Sequence, residues 1–337
     1  MKNILYLYFG SASPVSKFEF NIISKINKKS SKIHIKYWDW TEELGLKFNP
    51  SLNWSYDNQN ILKPFYDKIK KEISNYDALF IAQTGGLIPE FLAELQIFKI
   101  YNTADDPEAS RNCSFPFLKV VDVMVHAGVS YFNDLPLENE FYKRGASNCY
   151  YMPIGFYEEM FPKIENFDKL FKSRNQKLVF VGRPRIQRIQ LVRYINHFKN
   201  ELRIHNRRTP KYQKLFWYLT TGIHISPYSD SLVNLYWQSQ VGINMHLSSG
   251  PSNVRTYQLP ACGVAQLIDC SYTISKIFEP EKELLTYETI TEAIKQSERL
   301  INDIDLRYQI SKAGYIKVRE NYNREHLVYN MLNHYVS

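Results

Sequence analysis

The sequence predicts an α/β protein built on two parallel sheets, and three observations carry that prediction. Short apolar runs alternate with amphipathic stretches along the chain, the strand-loop-helix opening at residues 3–28 recurs at residues 177–198, and the alternation breaks down between the two halves. At 337 residues the chain exceeds what one core comfortably serves, since domains run to roughly 100–200 residues. Two domains are therefore expected, over residues 1–155 and 172–320, with a last helix at 321–337 packing back on the first.

In the first half, residues 3–9 form a buried strand, Gly10-Ser11-Ala12-Ser13-Pro14 a small-residue turn, and residues 15–28 an amphipathic helix. The strand signal repeats at 33–38, 78–82, 100–104 and 120–126, with helical stretches over 61–74 and 87–94. Strands alternating with helices imply a parallel sheet covered on both faces. Residues 151–175, with Pro153, Gly155 and Pro162 in a mixed aromatic and charged run, suggest a linker. The second half restarts with a strand at 177–181, a turn at Gly182-Arg183-Pro184-Arg185 and a helix at 186–198. Further strands are expected near 223–225, 241–247, 264–268 and 284–287, and helices over 291–301, 305–320 and 324–335. Two such domains would bring the carboxyl ends of their strands to a shared crevice, where a ligand is expected.

Composition narrows the class without naming a partner. Hydrophobic residues at 44% and charged residues at 23% are ordinary for a globular chain and argue against disorder. The net charge of +8 favours anionic partners, but its lysines and arginines are spread along the chain. The densest basic cluster, Arg203, His205, Arg207, Arg208 and Lys211, reads first as a solvated loop, with an anionic membrane surface or nucleic acid as the alternatives. Cys113, Cys149, Cys262 and Cys270 show no CxxC pair and no metal-ligand spacing, which suits reduced thiols. No run approaches the roughly 20 apolar residues of a membrane span, and residues 4–9 are too short for a signal-peptide core. A cytoplasmic location is expected, with peripheral contact at the inner face of the membrane left open.

Residues 247–269 carry the most chemistry. An apolar strand leads into a polar turn, Pro251 and Ser252 suit a helix's first positions, and Gly263 suits its end. Arg255 then falls in the first turn, where unpaired N–H groups already favour an anion; an ordinary strand-helix-strand unit with an exposed arginine is the competing reading. At the other strand end, Gly182 lets backbone approach a ligand, with Arg183 and Arg188 beside it as a clamp for a diphosphate; a solvated basic helix start is the competing reading, though cations disfavour that end of the dipole.

Val181-Gly182-Arg183 with Arg188, residues 244–255, residues 258–263, Asp269 and residues 313–322 together resemble the C-terminal domain of GT-B glycosyltransferases, and among them the spore-maturation CgeB-like group. The resemblance covers about the last half of the chain. It implies two Rossmann-like domains facing across a cleft and a nucleotide-sugar donor held mainly by the second, with transfer to a hydroxyl of a glycan, a lipid-linked glycan or a protein, as in cell-surface polysaccharide biosynthesis. By that resemblance Gly182, Arg183 and Arg188 meet the diphosphate, Ser252, Asn253 and Arg255 form the phosphate-facing helix start, and His246 reaches the donor sugar or else packs in the core. Gln258 stands where many relatives carry a glutamate on the ribose hydroxyls, and Gly250 where retaining members place another, so both acids are missing here.

In the first domain, Asp105 and Asp106 follow a strand and supply a general base for the acceptor, or cap a helix before Pro107; His126 is the second candidate for that proton. Gly10, Ser11 and Ser13 match the first loop that relatives use near the acceptor or diphosphate. Asp303-Ile304-Asp305 is explained by helix capping rather than by a metal, and neither metal nor cofactor is expected where arginines neutralise the diphosphate. Nucleic acid is not an expected partner, although an enzyme that glucosylates DNA would also suit the charge. A sugar-nucleotide epimerase and a catalytically silent nucleotide-sugar-binding subunit are the alternatives of the same architecture.

Overall fold

The computed structural model describes every residue except 9–13, 40, 42–43, 45–51, 83–85, 104–109, 129–135, 183–190, 207–208, 227–231, 247–252, 270–271 and 337. The chain divides into two units, one of Met1–Ile154 with Arg324–Ser337, the other of Gly155–Ser248 with Ser252–Asn323.

The first unit runs β1 (Lys2–Tyr8), α1 (Pro14–Lys29), β2 (Ile33–Asp39), α2 (Leu52–Asp57), α3 (Gln59–Glu72), β3 (Ala78–Ala82), α4 (Pro89–Glu94), β4 (Phe98–Thr103), α5 (Ser110–Cys113), β5 (Val123–His126), α6 (Leu137–Lys143) and β6 (Cys149–Tyr151). Its six strands pair in parallel in the order β2-β1-β3-β4-β5-β6. Such a sheet is covered on both faces, which is why β1 and β3 read as unbroken apolar runs; Ile4 to Leu7 and Ala78 to Ile81 are all buried.

The second unit continues with α7 (Phe167–Ser173), β7 (Gln176–Val181), α8 (Leu191–His197), β8 (Leu202–His205), α9 (Lys211–Thr221), β9 (Ile225–Ser226), α10 (Leu232–Gln238), β10 (Ser239–Asn244), α11 (Arg255–Ala261), β11 (Ala265–Asp269), α12 (Tyr272–Ile277), β12 (Leu285–Tyr287), α13 (Ile290–Asn302) and α14 (Ile304–Asn321). Its sheet is also parallel, in the order β12-β11-β10-β7-β8-β9. The chain steps outward from β7 to β9, then crosses back to lay β10 on the other side of β7. The direction of winding reverses between β7 and β10, the position in an open parallel sheet where ligands are expected.

The last helix, α15 (Arg324–Val336), belongs to the first unit and packs on α1. Arg324 Nε donates to Glu19 Oε1 at 3.3 Å, Tyr6 Oη donates to Glu19 Oε2 at 3.0 Å, and Lys29 Nζ meets Glu325 Oε1 at 2.5 Å. Glu19 is buried at 2% exposure, so Arg324 and Tyr6 replace the water its carboxylate has lost.

Three local expectations change. The stretch at 151–175 is more than a linker: β6 ends within it, and Asn166 caps α7 by accepting the Lys169 N–H at 2.9 Å. The basic cluster is not a loop throughout, because residues 202–205 form β8, with Leu202 and Ile204 buried and Arg203 exposed between them. The helix after β10 starts at Arg255, later than Pro251 and Ser252 suggested, and those two residues lie outside the described ones. Asp303 behaves as a cap, its Oδ1 accepting the Leu306 N–H at 2.9 Å at the start of α14.

Candidate functional site

The carboxyl ends of β7 and β10 bring together Gly182, Asn244, His246, Asn253 and Arg255, all within the second unit. β10 is apolar from Val241 to Ile243 and ends on Asn244, a fully buried amide at 0% exposure whose hydrogen bonds must all be met by protein. Its Oδ1 accepts from Arg255 Nε at 3.1 Å and from Asn253 Nδ2 at 2.8 Å, while its Nδ2 donates to Thr256 Oγ1 at 3.1 Å. Tyr287 Oη donates to the Asn244 carbonyl at 3.3 Å and ties the strand end to β12.

Arg255 also donates from Nη2 to the Met245 carbonyl at 3.3 Å, and its guanidinium carbon lies 5.7 Å from the centre of the Phe180 ring. The oxygens of Asn244 and Met245 are neutral, so they orient the cation without cancelling its charge. Gly182 makes the placement possible: a Cβ there would stand 2.7 Å from Arg255 Nη1, closer than any methyl group can approach. The glycine read as room for a ligand thus also makes room for the arginine.

A second set of bonds ties the end of β10 to Asp269 and to Asn253, ahead of α11. The backbone N–H of His246 donates to Asp269 Oδ2 at 2.7 Å, and its Nδ1 donates to Asp269 Oδ1 at 2.6 Å. Its Nε2 accepts the Asn253 N–H at 3.2 Å, which requires the neutral, Nδ1-protonated ring. One imidazole therefore joins the ends of β10 and β11 to the segment before α11. Asn253 Oδ1 in turn accepts the Arg255 N–H at 2.9 Å.

The far end of α11 is held as firmly. Gly263 follows it at φ +64°, the left-handed conformation that ends helices. Arg174, only 5% exposed, donates to the Cys262 carbonyl at 2.8 Å and to the Gly263 carbonyl, while Arg319 donates to the Ala261 carbonyl at 2.8 Å. Burial lowers the Arg174 guanidinium to about 10, still charged at neutral pH. Two cations on the last carbonyls satisfy the groups that a helix end leaves open. Arg255 is thereby the first residue of a helix anchored at both ends.

Gln258, one turn along α11, is half-buried. Arg183, Arg188, Ser252, Gly10, Ser11, Ser13, Asp105 and Asp106 lie outside the described residues, as does Gly250. A cavity of about 640 Å³ beside α7, lined by Asn166, Lys169, Ser173 and Trp237 among others, contains none of the site residues. Trp237 precedes β10, at the opposite end of the sheet from Asn244.

In the first unit, His126 ends β5 with 1% exposure and bonds on both sides. Its Nδ1 donates to the Gly128 carbonyl at 2.6 Å, and Nε2 lies 3.2 Å from Glu138 Oε1 on α6. The Glu138 carboxyl is lowered, chiefly by that bond from His126. With acceptors at both nitrogens the ring is suited to donate protons in hydrogen bonds and to hold position, less to abstract one. Glu138 carried no sequence signal, since it lies twelve residues along the chain in a separate helix. Among the described residues no cluster of His, Cys, Asp and Glu is arranged to hold a metal.

Residues 182–333 match the family model described as glycosyl transferase-like. The region opens at Gly182 and takes in Asn244, His246, Asn253 and Arg255. The fold is similar to that of Anabaena HepE in complex with UDP-glucose, at TM-score 0.68 and 10% identity over 99% of each chain. It is similar also to sucrose-phosphate synthase from Thermosynechococcus elongatus, at TM-score 0.70 and 11% identity over 99% of this chain and 98% of that one. An α-glucosyltransferase in complex with UDP-glucose and DNA containing an abasic site matches at TM-score 0.62 and 13% identity, covering 98% of both chains. At such identities the likeness is one of fold, and that fold is the two-sheet α/β arrangement of GT-B proteins. No curated protein matches the chain in sequence.

Proposed function

We propose that the chain is a glycosyltransferase that takes a sugar from a nucleotide-sugar donor, with Arg255 gripping the diphosphate, and moves it to a hydroxyl of a glycan, a lipid-linked glycan or a protein. The observation that carries the proposal is the fixed guanidinium at the point where winding reverses between β7 and β10, inside the glycosyl transferase-like region. An acceptor oxygen forms a bond to the anomeric carbon as the bond from that carbon to the diphosphate breaks. Negative charge then gathers on the leaving diphosphate, and a cation already in place stabilises it without reorganising during the reaction.

Arg183 and Arg188 join this grip in the proposal, as do Ser252 and Asn253, and Gln258 meets the ribose hydroxyls as a neutral partner. The hydroxyl proton passes to Asp105 or Asp106 of the first unit, while His126, held between Gly128 and Glu138, positions the acceptor side with Gly10, Ser11 and Ser13. Several arginines around one diphosphate supply the neutralising charge that a metal otherwise brings, so we propose a metal-independent transfer in the cytoplasm. The CgeB-like group is the proposed kinship.

The complexes of similar fold hold UDP or UDP-glucose, which makes a uridine nucleotide the first donor to try. Thermal shift with UDP, GDP, ADP and CMP, each with and without a chelator, tests the assignment, because a ligand at a hundredfold excess over its Kd adds about 2.7 kcal/mol of stability. UDP is expected to raise Tm most, equally with chelator present. No shift with any nucleotide would overturn the donor site, and a shift that requires a metal would overturn the metal-independent mechanism.

A further inference from the structure

We infer that the outer face of α9 docks the protein on an anionic lipid surface. Helix α9 (Lys211–Thr221) is apolar on two sides. Gln213, Trp217 and Thr221 point inward, and Trp217 is part of the core of the second unit. On the other side Tyr212, Leu215 and Leu219 are 62, 56 and 73% exposed, at the i, i+3, i+7 spacing of a single helical stripe. Tyr218, 46% exposed, stands next to the stripe and stacks on His224 with ring centres 4.5 Å apart.

Inward packing accounts for the first side and leaves the second unexplained. A leucine that is three-quarters exposed, with a second leucine and two tyrosines beside it, loses free energy in water that it regains wherever the stripe is covered.

Charge selects the cover. Lys211 and Lys214 are exposed on the flank of the stripe, and Lys199 Nζ lies against Gly222 at the end of the helix. Glu201 is the acid within this stretch, and its carboxylate lies 4.0 Å from Lys177. An apolar stripe with tyrosines at its margin and cations around it suits the boundary between lipid headgroups and chains, where leucines enter the apolar layer and lysines meet phosphates. A two-fold contact with a second copy would set one basic rim against another. No described helix is long and apolar enough to cross a membrane, so the contact is one of surface.

Co-sedimentation with vesicles tests this directly, using phosphatidylglycerol mixed equally with phosphatidylcholine, and phosphatidylcholine alone. The full chain is expected to pellet with the anionic vesicles and to remain in solution with the neutral ones. The double variant Leu215→Ser with Leu219→Ser should lose about tenfold or more in partitioning, because apolar insertion sets the strength of such binding. Lys211→Gln with Lys214→Gln should weaken it as well, as should high salt. All four side chains are exposed, so both variants should keep the parent Tm. Both should also keep any nucleotide-induced shift, which separates this inference from the proposed donor site. Failure of the parent to bind anionic vesicles, equal binding by the serine variant, or a solution dimer that the serine variant abolishes would each overturn it.

Discussion

Arg255 Nε donates to Asn244 Oδ1 at 3.1 Å, so the last residue of strand β10 aims the first residue of helix α11. The same oxygen receives Asn253 Nδ2 at 2.8 Å, and the amide that carries it is wholly enclosed. A guanidinium placed in this way is directed before any ligand arrives.

Asn244→Ala should therefore separate aim from presence. The substitution leaves Arg255 in the chain but removes the oxygen that orients it, and it leaves Thr256 and Asn253 short of partners. We expect a stability loss of about 1–3 kcal/mol, as for an unmet buried polar group, and a nucleotide-diphosphate affinity lower by about tenfold. Urea unfolding and titration calorimetry measure the two effects.

Gly182→Ala asks the opposite question, since it moves the cation while sparing its partners. The new methyl would meet Arg255 Nη1 at 2.7 Å, the end of a side chain that can swing aside more cheaply than backbone. Gly182 also holds φ +157°, which an alanine adopts only under strain, so stability should fall by about 1–3 kcal/mol. Affinity should fall by about tenfold or more, because small displacements of a positioned charge are costly. Undiminished affinity in the folded variant would mean that Gly182 does not set the position of Arg255.

Acid should expose the contact between His126 and Glu138. The folded Glu138 carboxyl is held below its ordinary value, chiefly by the bond from His126, so the unfolded chain binds that proton more readily than the native one. The stabilisation is fully present above the unfolded carboxylate pKa of about 4.3 and is lost as pH falls through the lower, folded value. Glu138→Gln should then lie furthest below the parent in urea midpoint near neutrality and approach it in acid. Because the carboxylate is partly exposed, the gap should be small. A gap that does not change with pH would count against the assignment.

Arg324→Ala tests what holds the last helix to the first unit. It strips a charged partner from Glu19, which stays 2% exposed with Tyr6 Oη among its donors. Breaking one side of a buried ion pair costs about 3–5 kcal/mol, so a clear fall in Tm is expected. Limited proteolysis should find residues 324–337 cut early. Parent-like resistance would mean that the apolar residues Val328, Met331 and Leu332 hold α15 unaided.

The sheets were legible in the sequence where burial is continuous. β1, β3, β7 and β11 present runs of apolar residues that nothing but a two-sided strand explains, and both β-loop-α openings follow them. β6 and β8 escaped because three or four residues, mixed in β8 with Arg203 and His205, carry too little pattern, whereas β9 falls at the end of the strand expected near 223–225. α9 escaped for a related reason: apolar on two sides, it lacks a clean helical period. At the site, Gly182, Asn253 and Arg255 could be named because glycine and arginine at strand ends have few other uses. The bond from His246 to Asp269 could not, since the partners are 23 residues apart and meet only because β10 and β11 pair. That pairing also changes how His246 is read: with Nδ1 on Asp269 and Nε2 on Asn253, it ties two strand ends to the residues that lead into Arg255.

The most direct test is calorimetric titration of UDP into the parent protein and into Arg255→Ala, with Tm recorded for each. The account predicts saturable binding by the parent and a loss of about tenfold or more in the variant, as expected when a charge-assisted contact is removed, while Tm stays within a few degrees. Undiminished UDP affinity in a folded Arg255→Ala protein would contradict it.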